Sequence, residues 1–290
     1  GVVTESLSID DASVAVRGTV GQSPDMTIVS RHGAKTLYPG VEDGSMWDID
    51  DKVAELNGVT SPTSSVYGDL WSSEFLKAIG AVSSLASSLK VSQLQIPLSI
   101  DDGEVGIFDE TLSMVSRLIQ SHTARGVERD VVFAALDGWD HHRELKINLE
   151  QDFKSLNRCL THLVAELKAL ELWEDVAIVV TSDFGRTLSP NSGEGSDHAW
   201  GGHYFMLGGS VDGGQIHGQY PFDITSSGDL NIGRGRGRMI PSLSFESMWN
   251  GVVQWFGVES EEELDRILVN RKKTGATLFN KTDLFHVADD

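Results

Sequence analysis

A chain of 290 residues with 40% hydrophobic and 23% charged side chains is long enough for one large or two small packed domains, and its composition is ordinary for a globular protein. Its 43 acidic against 23 basic side chains give a formal net charge of -20, which argues against a nucleic-acid or anionic-membrane partner, since both require a positive footprint. No uninterrupted run of 18 apolar residues occurs, so no spanning helix is expected, and the lone Cys159 excludes an internal disulfide framework.

Residues 1–106 are loosely patterned, with short apolar pieces such as "MTIVS" (26–30) predicting short strands between long loops. The spacing of Leu70, Phe75, Leu76, Ile79, Val82 and Leu85 predicts a helix over 69–90, and "SQLQIPLSI" (92–100) predicts an extended segment that Pro97 restricts to an edge or irregular strand. Phe108, Leu112, Val115, Leu118 and Ile119 make 107–124 an amphipathic helix.

The region 107–270 reads as a β-α-β core. "DVVFAAL" (130–136) and "DVAIVVT" (175–181) have the composition of strands buried on both faces, and between them Phe153, Leu156, Leu160, Leu163, Leu167 and Leu170, recurring every three or four residues, predict a long helix over 148–172. Such a crossover makes the two strands parallel and near neighbours, with their carboxyl ends on one edge. "HYFMLGG" (203–209) suits a third strand. Helices follow over 243–256 and 260–269, the second opened by a capping-box pair, Ser260 and Glu263. No repeat and no clean linker interrupts the chain, which reads as one α/β domain over 1–290.

Parallel α/β sheets place ligand sites beyond the carboxyl ends of their strands. The first strand there delivers Asp137, Asp140, His141 and His142, and the second delivers Ser182, Asp183 and Arg186. A glycine-rich segment adds Asn191, Asp197, His198 and His203. Imidazole with carboxylate suits Zn, Mn or Fe, carboxylate-rich sets lean toward harder cations, and three loops of this kind can hold one ion or two. An aspartate after a strand is also a common cap or turn former, and a single histidine is often plain polar surface. The joint occurrence of these side chains at two strand ends and one loop is what favours a metal site, with Arg186 placed to clamp a tetrahedral oxyanion.

"GWDHH", "VVTSDFGRTLSPNSGEGSDHAWGGHYFMLGGSVDGGQIHGQYP" and "GRGRMIPSLSFESMWNGVVQWFGV" resemble, in that order and spacing, the domain-of-unknown-function family 1501, a branch of the alkaline-phosphatase-like superfamily. The resemblance covers about residues 110–258. It implies a three-layer sandwich around a mostly parallel sheet and a metal-dependent hydrolase of phosphate or sulfate esters acting on a small anionic ester. It further implies that Asp140, His142 and His198 hold one divalent metal, with Asp183 toward a second and Asp197 in the same ligand set, and that Arg186 and Asn191 lie near the substrate. Zn, Mn, Mg and Ca are not distinguished. Asp137 and His141 reproduce the D-x-x-x-H spacing of the same relatives, so two registers stay open, and Phe184 stands where those relatives carry a second-site histidine.

The strand and "GGxDG"-like turn that usually open the family have no counterpart in residues 1–60. The expectation is therefore a sheet lacking its N-terminal strand, in the C-terminal portion of a larger domain, with the nucleophile and the missing segment supplied by absent sequence or a partner chain. The resemblance favours an extracytoplasmic or secreted setting. The alternative is a non-catalytic binding or structural subunit that keeps the fold. "GRGRGR" (233–238) is read as a local ion-paired loop rather than a phosphate site.

Overall fold

The computed structural model describes residues 3–13, 16, 26–33, 55–58, 65–98, 105–232, 236–273, 275 and 277–286. The chain divides into two compact units, Gly1–Leu136 with Cys159–Glu166, and Asp137–Arg158 with Leu167–Asp290.

The first unit is built on a parallel three-stranded sheet of β1 (Thr4–Ile9), β2 (Thr27–Val29) and β3 (Arg129–Phe133), in the order β2-β1-β3. Leu7 stands opposite both Thr27 and Val132, which makes β1 the central strand. Leu7, Ile9 and Val29 pack against Leu85 and Leu89 of α1 (Val66–Val91) and Met114 and Leu118 of α2 (Ile107–Gln120). Helix α1 starts where the Ser65 hydroxyl accepts from Gly68 N at 3.0 Å, and its last carbonyls are taken by the Arg117 guanidinium. Only the C-terminal end of its apolar stripe is buried: Leu85 is 5% exposed, whereas Leu70 is 59% exposed. The helix expected over 107–124 is interrupted at Ser121, and a short α3 (His122–Arg125) ends on Gly126 in the left-handed conformation.

The stretch read as loosely patterned holds the middle strand of the sheet, β1, which has a partner on each side. One expectation for this unit needs correction. Residues 92–98 form no strand. The backbone N–H groups of Gln95 and Ile96 both donate to the Glu166 carboxylate, at 2.7 Å each, and His162 Nε2 lies 2.8 Å from Ile96 O. Glu166, 1% exposed, thereby satisfies two successive backbone N–H groups that have no strand neighbour. Residues 99–104 lie outside the described residues.

The long helix α4 spans Leu145–Ala169 and buries Leu156, Cys159, Leu163 and Leu167, the predicted three-to-four spacing. In the second unit a 3-10 turn (Trp173–Asp175) leads into β4 (Ala177–Val180), which pairs antiparallel with β7 (Phe205–Gly208). Between them in sequence lies the antiparallel pair β5 (Gly185–Arg186) and β6 (His198–Ala199). The expected parallel neighbourhood of the 130–136 and 175–181 strands is thus replaced. Strand β3 takes its ladder from β1, and β4 takes its ladder from β7. The expected burial on both faces is also not found, since Val131 is 40% exposed and Ala177–Val180 are only half-buried, and apolar character does not specify a pairing partner. The architecture is mixed α/β with a small parallel sheet and several helices.

Helix α5 (Phe245–Trp255) places Val252 with Leu284 and Phe285, around which Ala177, Val179 and Met206 of the β4-β7 pair pack. Two short helices follow, α6 (Glu261–Ile267), capped by Ser260 accepting from Glu263 N, and α7 (Lys281–Leu284). Arg271, 8% exposed, donates to Asn250 Oδ1 at 2.6 Å, to both Glu261 oxygens and to Asp265.

Glu5 and Asp130 stand directly opposite each other on β1 and β3, a like-charge pair that would be unfavourable alone. The Arg125 guanidinium, its side chain 4% exposed, bonds both carboxylates as well as Leu118 O and Ser121 Oγ. Arg125→Met is expected to destabilise the protein by about 3 kcal/mol in urea denaturation, because two partly buried carboxylates lose their shared cation. The second unit offers a pH test. Hydrogen bonding from Arg271, against desolvation, holds Glu261 below its ordinary carboxyl value. Hydrogen bonding from Lys272, again against desolvation and helped by Arg271, holds Asp265 low as well. A depressed carboxylate contributes stability above its unfolded pKa of about 4 and loses it as pH falls through the folded value. The gap in melting temperature between wild type and Arg271→Met is expected to stay constant above about pH 6 and to narrow below about pH 4.

Candidate metal centre

The "GWDHH" stretch leaves β3 as a loop that turns at Gly138, whose φ of +103° favours glycine, and enters α4 after Glu144 in the left-handed region (φ 48°). The loop is fastened to the 191–198 segment by backbone contacts. Glu144 N and Leu145 N donate to Gly193 O and Glu194 O at 3.1 Å each, and Ser196 N donates to His141 O at 3.3 Å. The approach is so close that a Cβ on Gly195 would lie 2.1 Å from the His142 carbonyl carbon and 2.2 Å from its oxygen. Asn191 shapes the second loop: its Oδ1 accepts from Gly193 N and Gly195 N at 2.9 and 3.0 Å, and its Nδ2 reaches His142 O at 3.0 Å.

Among the described residues, Asp140, His142 and His198 form one group of metal-capable side chains, with one ligand atom from each within 4.8 Å of the others. Asp140 Oδ1 lies 2.9 Å from His198 Nε2 and 3.1 Å from His142 Nε2, and the two Nε2 atoms are 3.2 Å apart. Donor atoms about 2.1 Å from a common cation stand roughly 3.0 Å apart in octahedral coordination and about 3.4 Å apart in tetrahedral coordination. The observed triangle therefore fits the first shell of a single small divalent ion. The three side chains are 48 to 52% exposed, so one side of the triangle faces solvent.

Arg186, paired with His198 across the β5-β6 register, is committed to scaffolding. Its Nη1 donates to Asp140 Oδ1 at 2.5 Å, Nε to Ser196 Oγ at 2.8 Å, and Nη2 to the carbonyls of His141 and Ser196 at 2.5 and 2.8 Å. Desolvation works to raise the Asp140 pKa, but the hydrogen bonds from Arg186 and His198 and the attraction of both imidazoles outweigh it and hold this carboxyl below the usual range. Asp197 is held low chiefly by the Asn191 hydrogen bond, with help from Arg236 and His142 against desolvation.

Of the two registers, the structure brings Asp140 and His142 together with His198. His141 turns to Asp152 on α4, its Nε2 2.5 Å from the carboxylate, and Asp137 stands exposed outside the group. Asp183 is exposed beyond β4 and also outside the group. Its negative charge adds to burial in raising the Tyr204 phenol. His203 stacks on Tyr220 at 5.5 Å. Asp197 does not join the triangle but lies behind it, with Oδ1 3.5 Å from His142 Nδ1 and Oδ2 bonded to Arg236. Phe184 stacks on His198 at 4.1 Å and 16°.

Sequence reasoning missed Ser196, Gly195, Arg238 and the stacking role of Phe184. The bond from Arg238 Nε to His198 O, at 3.3 Å, leaves no local signal in the sequence. The reading of "GRGRGR" as an ion-paired loop agrees with the Arg236–Asp197 pair, while residues 233–235 lie outside the described residues. The sequence reading also passed over the acidic pair Asp10 and Asp11 that ends the central strand β1. Asp10 is engaged there by Arg31 N and Nη1, at 2.9 and 2.7 Å.

Gly195→Ala is expected to cost about 2 kcal/mol or more in urea denaturation, since its Cβ meets unyielding backbone. Gly213→Ala, with only Val211 O at 3.9 Å, is expected to stay within about 0.5 kcal/mol of wild type in the same measurement.

Neither a curated protein nor a solved structure matches the chain. Asp140, His142, Arg186, Asn191, Asp197 and His198 all fall within residues 109–226, the stretch that matches the family described as Protein of unknown function (DUF1501).

Proposed function

We propose that this protein is a metal-dependent hydrolase of phosphate or sulfate esters, with Asp140, His142 and His198 holding one divalent cation. The observation that carries the reading is the donor triangle of 2.9, 3.1 and 3.2 Å, open to solvent on one side. A site of three protein ligands with a free position is the pattern of catalytic rather than closed structural centres. When bound, the cation would polarise an ester oxygen of the substrate. The residues themselves bind and orient. The ionised Asp140 supplies the negative ligand, the Phe184 face fixes the His198 ring, and Arg186 fixes Asp140 rather than reaching for the substrate. Arg238, anchored on the His198 carbonyl, brings a cation to the rim of the site where an anionic ester would approach. The nucleophile comes from outside this cluster. The similarity to the alkaline-phosphatase-like superfamily noted in the sequence motifs supports the ester class and a three-layer sandwich as the parent fold.

One observation favours a second reading, a subunit in which the ion staples two loops without turnover. All three nitrogens of Arg186 are engaged by protein acceptors, so the arginine expected at the oxyanion is occupied. Elemental analysis after equilibrium dialysis, combined with hydrolysis of p-nitrophenyl phosphate and sulfate, separates the two. Under the hydrolase reading, wild type retains about one metal per chain and turns over one ester. His142→Ala and His198→Ala then lose metal affinity by more than about a hundredfold along with turnover, and Asp183→Ala changes either by less than about threefold. Metal-dependent stability without hydrolysis supports the staple, and a wild type that takes up no divalent metal defeats both.

A further inference from the structure

We propose that the Asp197 carboxylate is a positioning group for His142, setting the imidazole tautomer that turns a free Nε2 lone pair toward Asp140 and His198; this rests on the reading of those three residues as metal ligands. Asp197 is the side chain behind His142: its Oδ1 lies 3.5 Å from Nδ1, while the Nε2 of the same ring lies 3.1 Å from Asp140 Oδ1 and 3.2 Å from His198 Nε2. Neutral imidazole carries one proton, and a proton on Nδ1 directed at a carboxylate leaves Nε2 free to bind a cation.

Asp197 is held in this position from several directions. Its backbone is fixed on Thr187: Asp197 N donates to Thr187 Oγ1 at 3.0 Å, and Asp197 O accepts from Thr187 N at 2.9 Å. Its carboxylate is bonded by Asn191 Nδ2 on Oδ1 at 3.2 Å and by Arg236 on Oδ2. Asn191 Nδ2 also reaches His142 O, which ties the carboxylate to the backbone of the histidine it faces. The other histidine is fixed differently, by stacking on Phe184. The arrangement moves Asp197 from the ligand set, where the sequence resemblance put it, to the layer behind.

The test uses the full chain with Co(II) as the probe. Binding is followed by visible absorption, and the His142 tautomer is read from imidazole 15N shifts in the metal-free protein. Asp197→Ala is expected to weaken Co(II) binding by about ten- to a hundredfold and to shift His142 away from the Nδ1–H form. Arg236→Gln, which removes the exposed ion pair but keeps the carboxylate, is expected to change affinity by less than about fivefold and to leave the tautomer unchanged. Asp197→Asn repeats the measurement if circular dichroism finds the alanine variant unfolded. Wild-type affinity and tautomer in the Asp197 variants would overturn the proposal, as would equal losses in Arg236→Gln, or a loss as complete as that of Asp140→Ala, which would make Asp197 a ligand. If instead His142→Ala and His198→Ala bind Co(II) like wild type, the metal reading fails, and the metal-free tautomer still decides the Asp197–His142 contact by itself.

Discussion

The candidate site depends on the guanidinium of Arg186. One planar group joins the Asp140 carboxylate, the His141 carbonyl, the Ser196 carbonyl and the Ser196 hydroxyl, and so pins the loop after β3 to the loop before β6. Arginine suits this task because its five donors diverge in one rigid plane and its charge persists at any working pH. The backbone then closes the remaining gap, with Gly195 lying against the His142 carbonyl where no side chain fits. The three metal-capable residues come from the loop after β3 and the start of β6, 56 residues apart at His142 and His198, and their convergence is a property of this clamp more than of the sheet.

The local elements were legible in the sequence, and the pairing was not. Leucines at helical spacing located α4, and the apolar runs located β3 and β4, because burial leaves a periodic trace in residue type. The ladders of β3 with β1 and of β4 with β7 leave no such trace. Strand β1, "TESLSI", escaped notice because its central position is filled by polar residues with local partners. Ser8, 0% exposed, bonds Asp11 O, and Glu5 is neutralised by Arg125. A buried strand that satisfies its polar groups in this way resembles a surface loop when read as a string.

For the site, residue types gave the chemistry but not the roles. Adjacent His141 and His142 are indistinguishable on paper, yet one is paired with Asp152 on α4 and the other faces Asp140. Which of them reaches the second loop depends on how the backbone packs against residues 191–198, and residue type does not record that. Arg186 and Asp197 were placed at the site by the sequence motifs and lie there, but each acts on a neighbouring side chain through hydrogen bonds or close approach whose partners, Ser196 and Arg236, carry no distinctive local signal.

The shape of the 191–197 loop is set by a single amide. Asn191 Oδ1 gathers the N–H groups of Gly193 and Gly195, and the loop is further fixed by main-chain bonds and by Arg186 on Ser196. The side chains of Ser192 and Glu194 are exposed. Such a loop separates its framework from its surface. Positions 192 and 194 are free to drift in charge and size, within the left-handed backbone that Glu194 already adopts at φ 58°, while His142 and His198 keep their spacing. A lineage could thus redecorate the rim for a new ligand without disturbing the groups at its centre.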